Sequence, residues 1–423
     1  MKKKCVIYLS ILILFVVSII IYNYLKFDDI YENKLNEITN ITKGISMNLE
    51  QTAGAGDYKT VTQSNWPTEG YKFNEELSRC ENGGELSWDK INKTVVMIGS
   101  TIDKCYVYFD IYVPTLTDYV VSKYTGTQGE NGIYYHDGNL ENGAGDNSYR
   151  YAGANPNNYV CFGTDSVTCP TDNLYRIIGV FDDKVKLIKY DYATKTLLGT
   201  DGDYSMTYSE AFKGSSSNTS RNGLNNKTII GVYYWNKATG TNTWSESNLN
   251  KINLNTNFIS NIGEEWASKI VPATWKVGGG TGANIMKYVP SATYQYEVGI
   301  NSSSLTYDAK IALMYVSDYE YAAGPSAWTL VGSDSDKTKD YRAAKTINWM
   351  AMDLDADWTI SPYTDDSGYS YSTLSDGSFT MGSVGGNGFI MKNGAPVRPT
   401  FYLNSSVKYL SGDGSVSSPI RIS

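Results

Sequence analysis

The sequence predicts an α+β, β-rich chain with an N-terminal transmembrane helix and a small β-sandwich-like module ahead of a larger domain. Three observations carry this. Tyr is used 36 times, alongside abundant Asn, Ser, Thr and Gly, which suits strands, turns and wet surfaces. Short apolar runs are punctuated by Gly and Asn turns along most of the chain. Helical spacing is confined to a few stretches set among scattered strands, an α+β pattern.

The elements follow in order. Lys2, Lys3 and Lys4 precede the apolar run Cys5–Leu25, and Lys26 and then Asp28, Asp29 and Glu32 follow it. About 20 apolar residues rising ~1.5 Å each span roughly 30 Å, the thickness of a bilayer core. The charge asymmetry places the N-terminus in the cytoplasm and the bulk outside, as a single-pass membrane protein. A cleaved signal peptide would have a shorter apolar run and a small-residue cleavage site. Cys5 stands at the head of the apolar run instead of following it, which argues against a lipoprotein, and the start lacks the signature of a pilin.

Residues 26–58 read as a helical stalk and a flexible break. Ile30, Leu35, Ile38, Ile41, Ile45 and Leu49 recur at helical spacing, and Ala53–Tyr58 interrupts. Residues 59–113 read as the small β module, with strands at Tyr71–Phe73, Glu85–Trp88, Thr94–Ile98 and Cys105–Val113. Residues 114–158 read as a connector, a short helix at Leu116–Tyr124 and then a Gly/Asn/Tyr-rich loop holding the single histidine, His136. Residues 159–423 form the main domain. In it Asn173–Ala193 predicts a hairpin turning at Asp182-Asp183. Trp244–Ile270 predicts two helices capped near Asn255 or Thr256. Ala273–Gly279, Ala309–Ala322 and Val397–Leu403 predict strands.

Apart from Cys5 the cysteines form two close pairs, Cys80 with Cys105 and Cys161 with Cys169, as expected of disulfides in an oxidising compartment. The first would stabilise by about 3.5 kcal/mol in the chain-entropy account. Zinc would want tighter Cys spacing and His partners.

Composition excludes several functions. A net charge of −8 with no basic run beyond the first residues argues against nucleic acid. VGGGTG at 277–282 lacks the Lys-Ser/Thr of a phosphate loop and reads as a turn. No Gly-x-Ser-x-Gly accompanies the lone histidine. No pair of carboxylates stands out for glycoside hydrolysis. The expectation is therefore a binding protein, not an enzyme, with no catalytic residues and no cofactor. Asp353, Asp355 and Asp357 alternate as calcium ligands can, but the Gly and bidentate Glu of an EF-hand loop do not follow.

The order and spacing of NYVCFG, NLYRIIGVF, WSESNLN, TWKVGG, IALMYVSDYEYAA, DWTISP and VRPTFYLNSSV resemble a group of surface proteins of low-GC gut bacteria. The YKFN, CENGGELSW and DKCYVYFD segments are similar to a module that often precedes that group's main domain. The resemblance implies a C-type-lectin-like fold, shared with formylglycine-generating enzymes, for residues 159–423. That enzymatic branch uses a cysteine pair, and no cysteine follows Cys169. The resemblance further implies kinship with the variable proteins of diversity-generating retroelements. There a fixed framework surrounds mutagenised positions. Framework positions here are Trp349, Trp358, Thr359, Ile360, Ser361, Val397, Arg398, Pro399 and Phe401.

Between them stand the candidate ligand-binding residues: Ala351, Asp353, Asp355, Ala356, Tyr363, Asp365, Asp366, Tyr369, Tyr371, Ser375, Asp376, Ser378, Thr380, Ser383 and Asn387. A Tyr/Ser/Asp/Gly surface of this kind suits recognition, because Tyr gives rigid contact area and Ser and Gly adapt. Tyr363, Tyr369 and Tyr371 are the expected anchors. The expected function is adhesion to, or capture of, an extracellular protein or glycan. A pilus-like envelope component and an envelope-glycan enzyme are the alternative classes.

Overall fold

The computed structural model describes residues 44–62, 65–67, 70–89, 92–99, 103–211, 226–352, 356–387 and 391–423. They fall into two compact units divided between Val113 and Pro114. The structure is β-rich, with about 33% strand and 19% helix. Among the described residues no helix is long and apolar enough to cross a membrane. The expected anchor, Cys5–Leu25, and the stalk up to residue 43 lie outside them.

In the first unit β1 (Ile45–Glu50), β2 (Tyr58–Val61), β3 (Tyr71–Phe73), β4 (Arg79–Cys80) and β7 (Cys105–Ile111) form one sheet in the order β2-β1-β7-β3, with β4 also on β7. β5 (Glu85–Asp89) and β6 (Thr94–Ile98) make a separate hairpin. Its Trp88 meets Phe109 edge to face, at 5.6 Å between ring centroids, and Leu86 and Val95 join the same small core as Met47 and Val107. The Cys80–Cys105 disulfide joins directly paired residues of β4 and β7. The expected helical end of the stalk at Ile45–Leu49 is corrected: it is β1, parallel to β7. Ile45, Met47 and Leu49 alternate, so a period of two competes with the four-residue spacing, and pairing with β7 decides for the strand.

The second unit is built on an eight-stranded sheet. It comprises β8 (Ile133–His136), β9 (Ser148–Tyr151), β10 (Tyr159–Cys161), β11 (Leu174–Phe181), β12 (Lys184–Lys189), β15 (Ile270–Val271), β18 (Ile311–Ala312) and β22 (Thr400–Leu403). The main order is β15-β22-β12-β11-β9-β8. The hairpin β11–β12 turns at Asp182, which takes a left-handed φ of 54°. β22, the expected final core strand, lies between β12 and β15, with Phe401 fully buried. The Cys161–Cys169 disulfide is present. Smaller pairs flank the sheet: β13 (Tyr204–Thr207) with β14 (Gly231–Tyr233), and β16 (Ala273–Lys276) with β17 (Thr306–Ala309).

Three expectations are revised here. The connector at 114–158 is part of this unit, with a helix at Leu116–Val121 and strands β8 and β9 in the main sheet. His136 is buried at the end of β8; its Nδ1 accepts from the Ala144 N–H and its ring lies edge-on to Tyr321. Ala309–Ala322 is only briefly a strand. After β18 the chain turns into a helix at Val316–Tyr321, because Asp318 accepts from the Tyr315 N–H in a capping arrangement. Asn255 and Thr256 lie inside the wide helical segment Leu249–Phe258 rather than at its start. Asn255 instead pairs with the Ile311 backbone, donating to its carbonyl and accepting from its N–H.

Candidate ligand-binding site

The segment between the two framework motifs is a three-stranded antiparallel sheet: β19 (Ala356–Pro362), β20 (Tyr369–Leu374) and β21 (Phe379–Ser383). Its framework flanks are buried. Trp358 donates from Nε1 to the Tyr233 carbonyl at 2.8 Å, and Thr359 accepts through its carbonyl from Trp235 Nε1 at 2.9 Å. Trp349 donates to the Tyr151 carbonyl at 2.9 Å. Arg398 and Asp357 form a buried ion pair. Burial pushes the Asp357 carboxyl up to about 6, against the pull of that guanidinium.

The two turns of this sheet lie at opposite ends of β20, about 17 Å apart at ~3.4 Å per residue. The candidate residues therefore divide. At one end stand Tyr363, Asp365, Asp366 and Tyr369, with Ser383 paired to Tyr369 and Asn387 just beyond. Asp365, Asp366 and Asn387 are exposed, Tyr363 and Tyr369 half-buried, and Ser383 buried. At the other end stand Ser375, Asp376, Ser378 and Thr380, with Ala356 opposite Leu374. Asp376 is exposed, Ser375 and Thr380 half-buried, and Ser378 and Ala356 buried. Ser378 donates from Oγ to Asp376 at 2.6 Å, closing its own turn. Ala351 is half-buried against the second core cluster. Asp353 and Asp355 lie outside the described residues.

One anchor is corrected. Tyr371 is fully buried, packed with Tyr341 and Phe379 in a core cluster, and donates to the Gly280 carbonyl at 3.1 Å. It holds the sheet and offers no surface. Asp357, third of the alternating aspartates, is likewise committed inward to Arg398. Cys80, Asp103 and Cys105 also come together, but both sulfurs are in the disulfide, and Asp103 accepts from the Asn82 and Gly84 N–H groups.

The first end is the better-built surface. The turn after β19 is clasped from outside. Asn242 donates from Nδ2 to the carbonyls of Tyr363 and Tyr369, at 2.8 Å each, and its N–H reaches the Ser367 carbonyl at 2.6 Å. The VGGGTG turn supplies the other side. The Gly280 N–H donates to the Pro362 carbonyl, the Thr364 N–H to the Gly280 carbonyl, and the Gly282 N–H to Asp365 Oδ2. The approach is so close that a Cβ on Gly279 would sit 1.9 Å from the Pro362 oxygen. Backbone is fixed while the side chains of Thr364, Asp366 and Ser367 face water. Sequence reading missed Asn242 entirely, although the Thr-Asn-Thr-Trp run before a helix could have marked an ordered polar loop.

Compared with known protein families, curated proteins and solved structures, the chain matched none.

Proposed function

We propose that this chain is a membrane-anchored surface recognition protein. On this reading its second unit is a C-type-lectin-like domain, and it binds an extracellular protein or glycan through the turn at 363–369. The observation that carries the proposal is the clasped turn: a backbone tied by Asn242 on one side and Gly280–Gly282 on the other, with Asp and Ser side chains left outward between two half-exposed tyrosines. Preorganisation of this kind lowers the ordering cost of binding. Tyr, Ser and Asp on a fixed loop are what a recognition surface uses. The lectin-like fold and the link to retroelement diversification rest on the order of the sequence motifs.

The test is a screen of the purified full chain against glycan and cell-surface protein arrays, followed by Asp366→Ala and Tyr369→Ala. Binding should fall in both variants while circular dichroism stays unchanged. A confirmed ligand bound equally well by both variants overturns the site. A near-copy of the coding region for residues 349–398, differing only at adenines and lying beside a reverse transcriptase, would support diversification. Its absence from a complete locus would remove that part.

A further inference from the structure

Lys186 on β12 and Asp318 in the helix Val316–Tyr321 meet inside the second unit, with Nζ 2.6 Å from Oδ2 and both side chains almost wholly buried. The two residues are 132 positions apart in sequence. The surroundings are aromatic. The Lys186 nitrogen lies 4.6–5.5 Å from the ring centroids of Phe181, Trp275, Tyr315 and Tyr402. Asp318 is held from three sides. The Tyr315 N–H donates to Oδ2 at 2.9 Å, and Arg150 Nη1 stands 4.0 Å from Oδ1. The start of its helix is pinned by Glu297, which accepts from the Val316 and Ser317 N–H groups at 2.9 Å each. A second lysine pair shows what an ordinary ion pair looks like here: Lys189 meets Asp172, whose carboxylate is 41% open to water.

We propose that Lys186 and Asp318 become joined by an intramolecular isopeptide bond, formed without any other reactant and with loss of one water. A fully buried ammonium–carboxylate pair carries a large desolvation cost. Passing one proton from Nζ to Oδ2 along the existing hydrogen bond turns it into a neutral amine and a neutral acid. Burial favours that transfer by lowering the basicity of the Lys186 amine. The nitrogen lone pair then attacks Cγ, forming the C–N bond and sending the carbonyl electron pair onto Oδ1, beside the Arg150 guanidinium. As the carbonyl re-forms at Oδ1, the Cγ–Oδ2 bond breaks. A second proton from nitrogen leaves with Oδ2 as water. Ammonium and carboxylate thus become amide and water, balanced without oxidant, metal or cofactor. The fixed separation of the two groups supplies the proximity such a step needs. The product ties a central strand of the main sheet to the helix beneath the candidate binding sheet.

Mass spectrometry of the full-length chain, denatured and reduced, tests this directly. The expected mass is the sequence mass less one water, and a protease digest should contain one branched peptide whose arms carry Lys186 and Asp318. Lys186→Met should restore the full sequence mass. An unmodified wild-type mass overturns the proposal. A missing water that persists in Lys186→Met, or that maps to a linear peptide, overturns the assignment. Because the reading is made on denatured wild-type protein, it does not depend on any variant folding.

Discussion

A single asparagine amide, Asn242 Nδ2, donates to the carbonyls on both sides of one turn, those of Tyr363 and Tyr369, at 2.8 Å each. The turn it bridges is otherwise exposed from Thr364 to Ser367. Asn242→Ala would leave two half-buried carbonyls without this donor, at a cost of about 1–3 kcal/mol. The expected result is faster amide hydrogen exchange at residues 364–369, with exchange in β11 and β12 unchanged. Equal protection in variant and wild type would show that the Gly280–Gly282 side suffices alone.

The buried pair of Asp357 and Arg398 makes a second prediction. Arg398 also donates to the Met350 carbonyl at 3.0 Å, so it ties the segment before β19 to the chain leading into β22. Asp357→Ala leaves the guanidinium buried without its carboxylate and should destabilise the second unit by about 3–5 kcal/mol. Replacing both residues by apolar ones of similar volume should cost much less. Urea unfolding of the two variants checks the contrast.

The framework residues were marked by the motif resemblance, and the burial of most of them follows from their being large, apolar or aromatic. The hairpin at Asp182 and the β5–β6 pair were legible because their turn residues sit next to the strands they join. Tyr371 was not. In a Tyr/Ser/Thr strand, polarity suggests a wet surface, yet residues 370–373 of β20 are buried on both faces by elements distant in sequence. β8 and β9 were hidden for the same reason. Glycine and asparagine dominate around them, and only pairing to β11 makes them part of a core sheet. The helix at Val316–Tyr321 was hidden differently. Its apolar run continues straight out of a strand, and the sole sign of the change is the Tyr315–Asp318 capping contact. For the candidate site, sequence marked the exposed turn but not the separation of its two ends, nor the clasp from Asn242.

His136 gives a prediction in acid. Its burial, with the Arg150 charge nearby, holds its pKa well below the usual 6.5, while Asp146 pulls weakly the other way. Nδ1 already accepts a hydrogen bond, so the folded protein keeps the ring neutral. The unfolded chain takes a proton below about pH 6.5 that the folded chain refuses. Stability from this group is therefore full above that pH and falls as pH drops, by up to about 1.4 kcal/mol per unit. His136→Asn retains an acceptor for Ala144 and should flatten this acid slope between pH 6.5 and 5, although lost packing against Tyr321 and Trp328 lowers stability throughout. Thermal denaturation across that range compares the slopes; parallel slopes would refute a neutral histidine.

Glu320 should behave in the opposite sense. Its carboxylate is fully buried, and burial, reinforced by the neighbouring Glu297, holds its pKa well above the ordinary value of 4.5, against the pull of the Thr293 hydroxyl. The folded protein keeps this proton at a pH where the unfolded chain has released it. The group's contribution is thus intact below about pH 4.5 and is lost as pH rises toward the folded pKa. Glu320→Gln presents the neutral shape at every pH. It should be more stable than wild type at pH 8, by about 1 kcal/mol or more for each unit of pKa displacement removed. The advantage should shrink toward pH 5. Since this slope opposes that of His136, the wild-type profile alone cannot separate them, and the two variants measured over the same pH range can. An advantage for Glu320→Gln that does not change with pH would mean that Glu320 titrates alike in both states, and that the gain comes from packing.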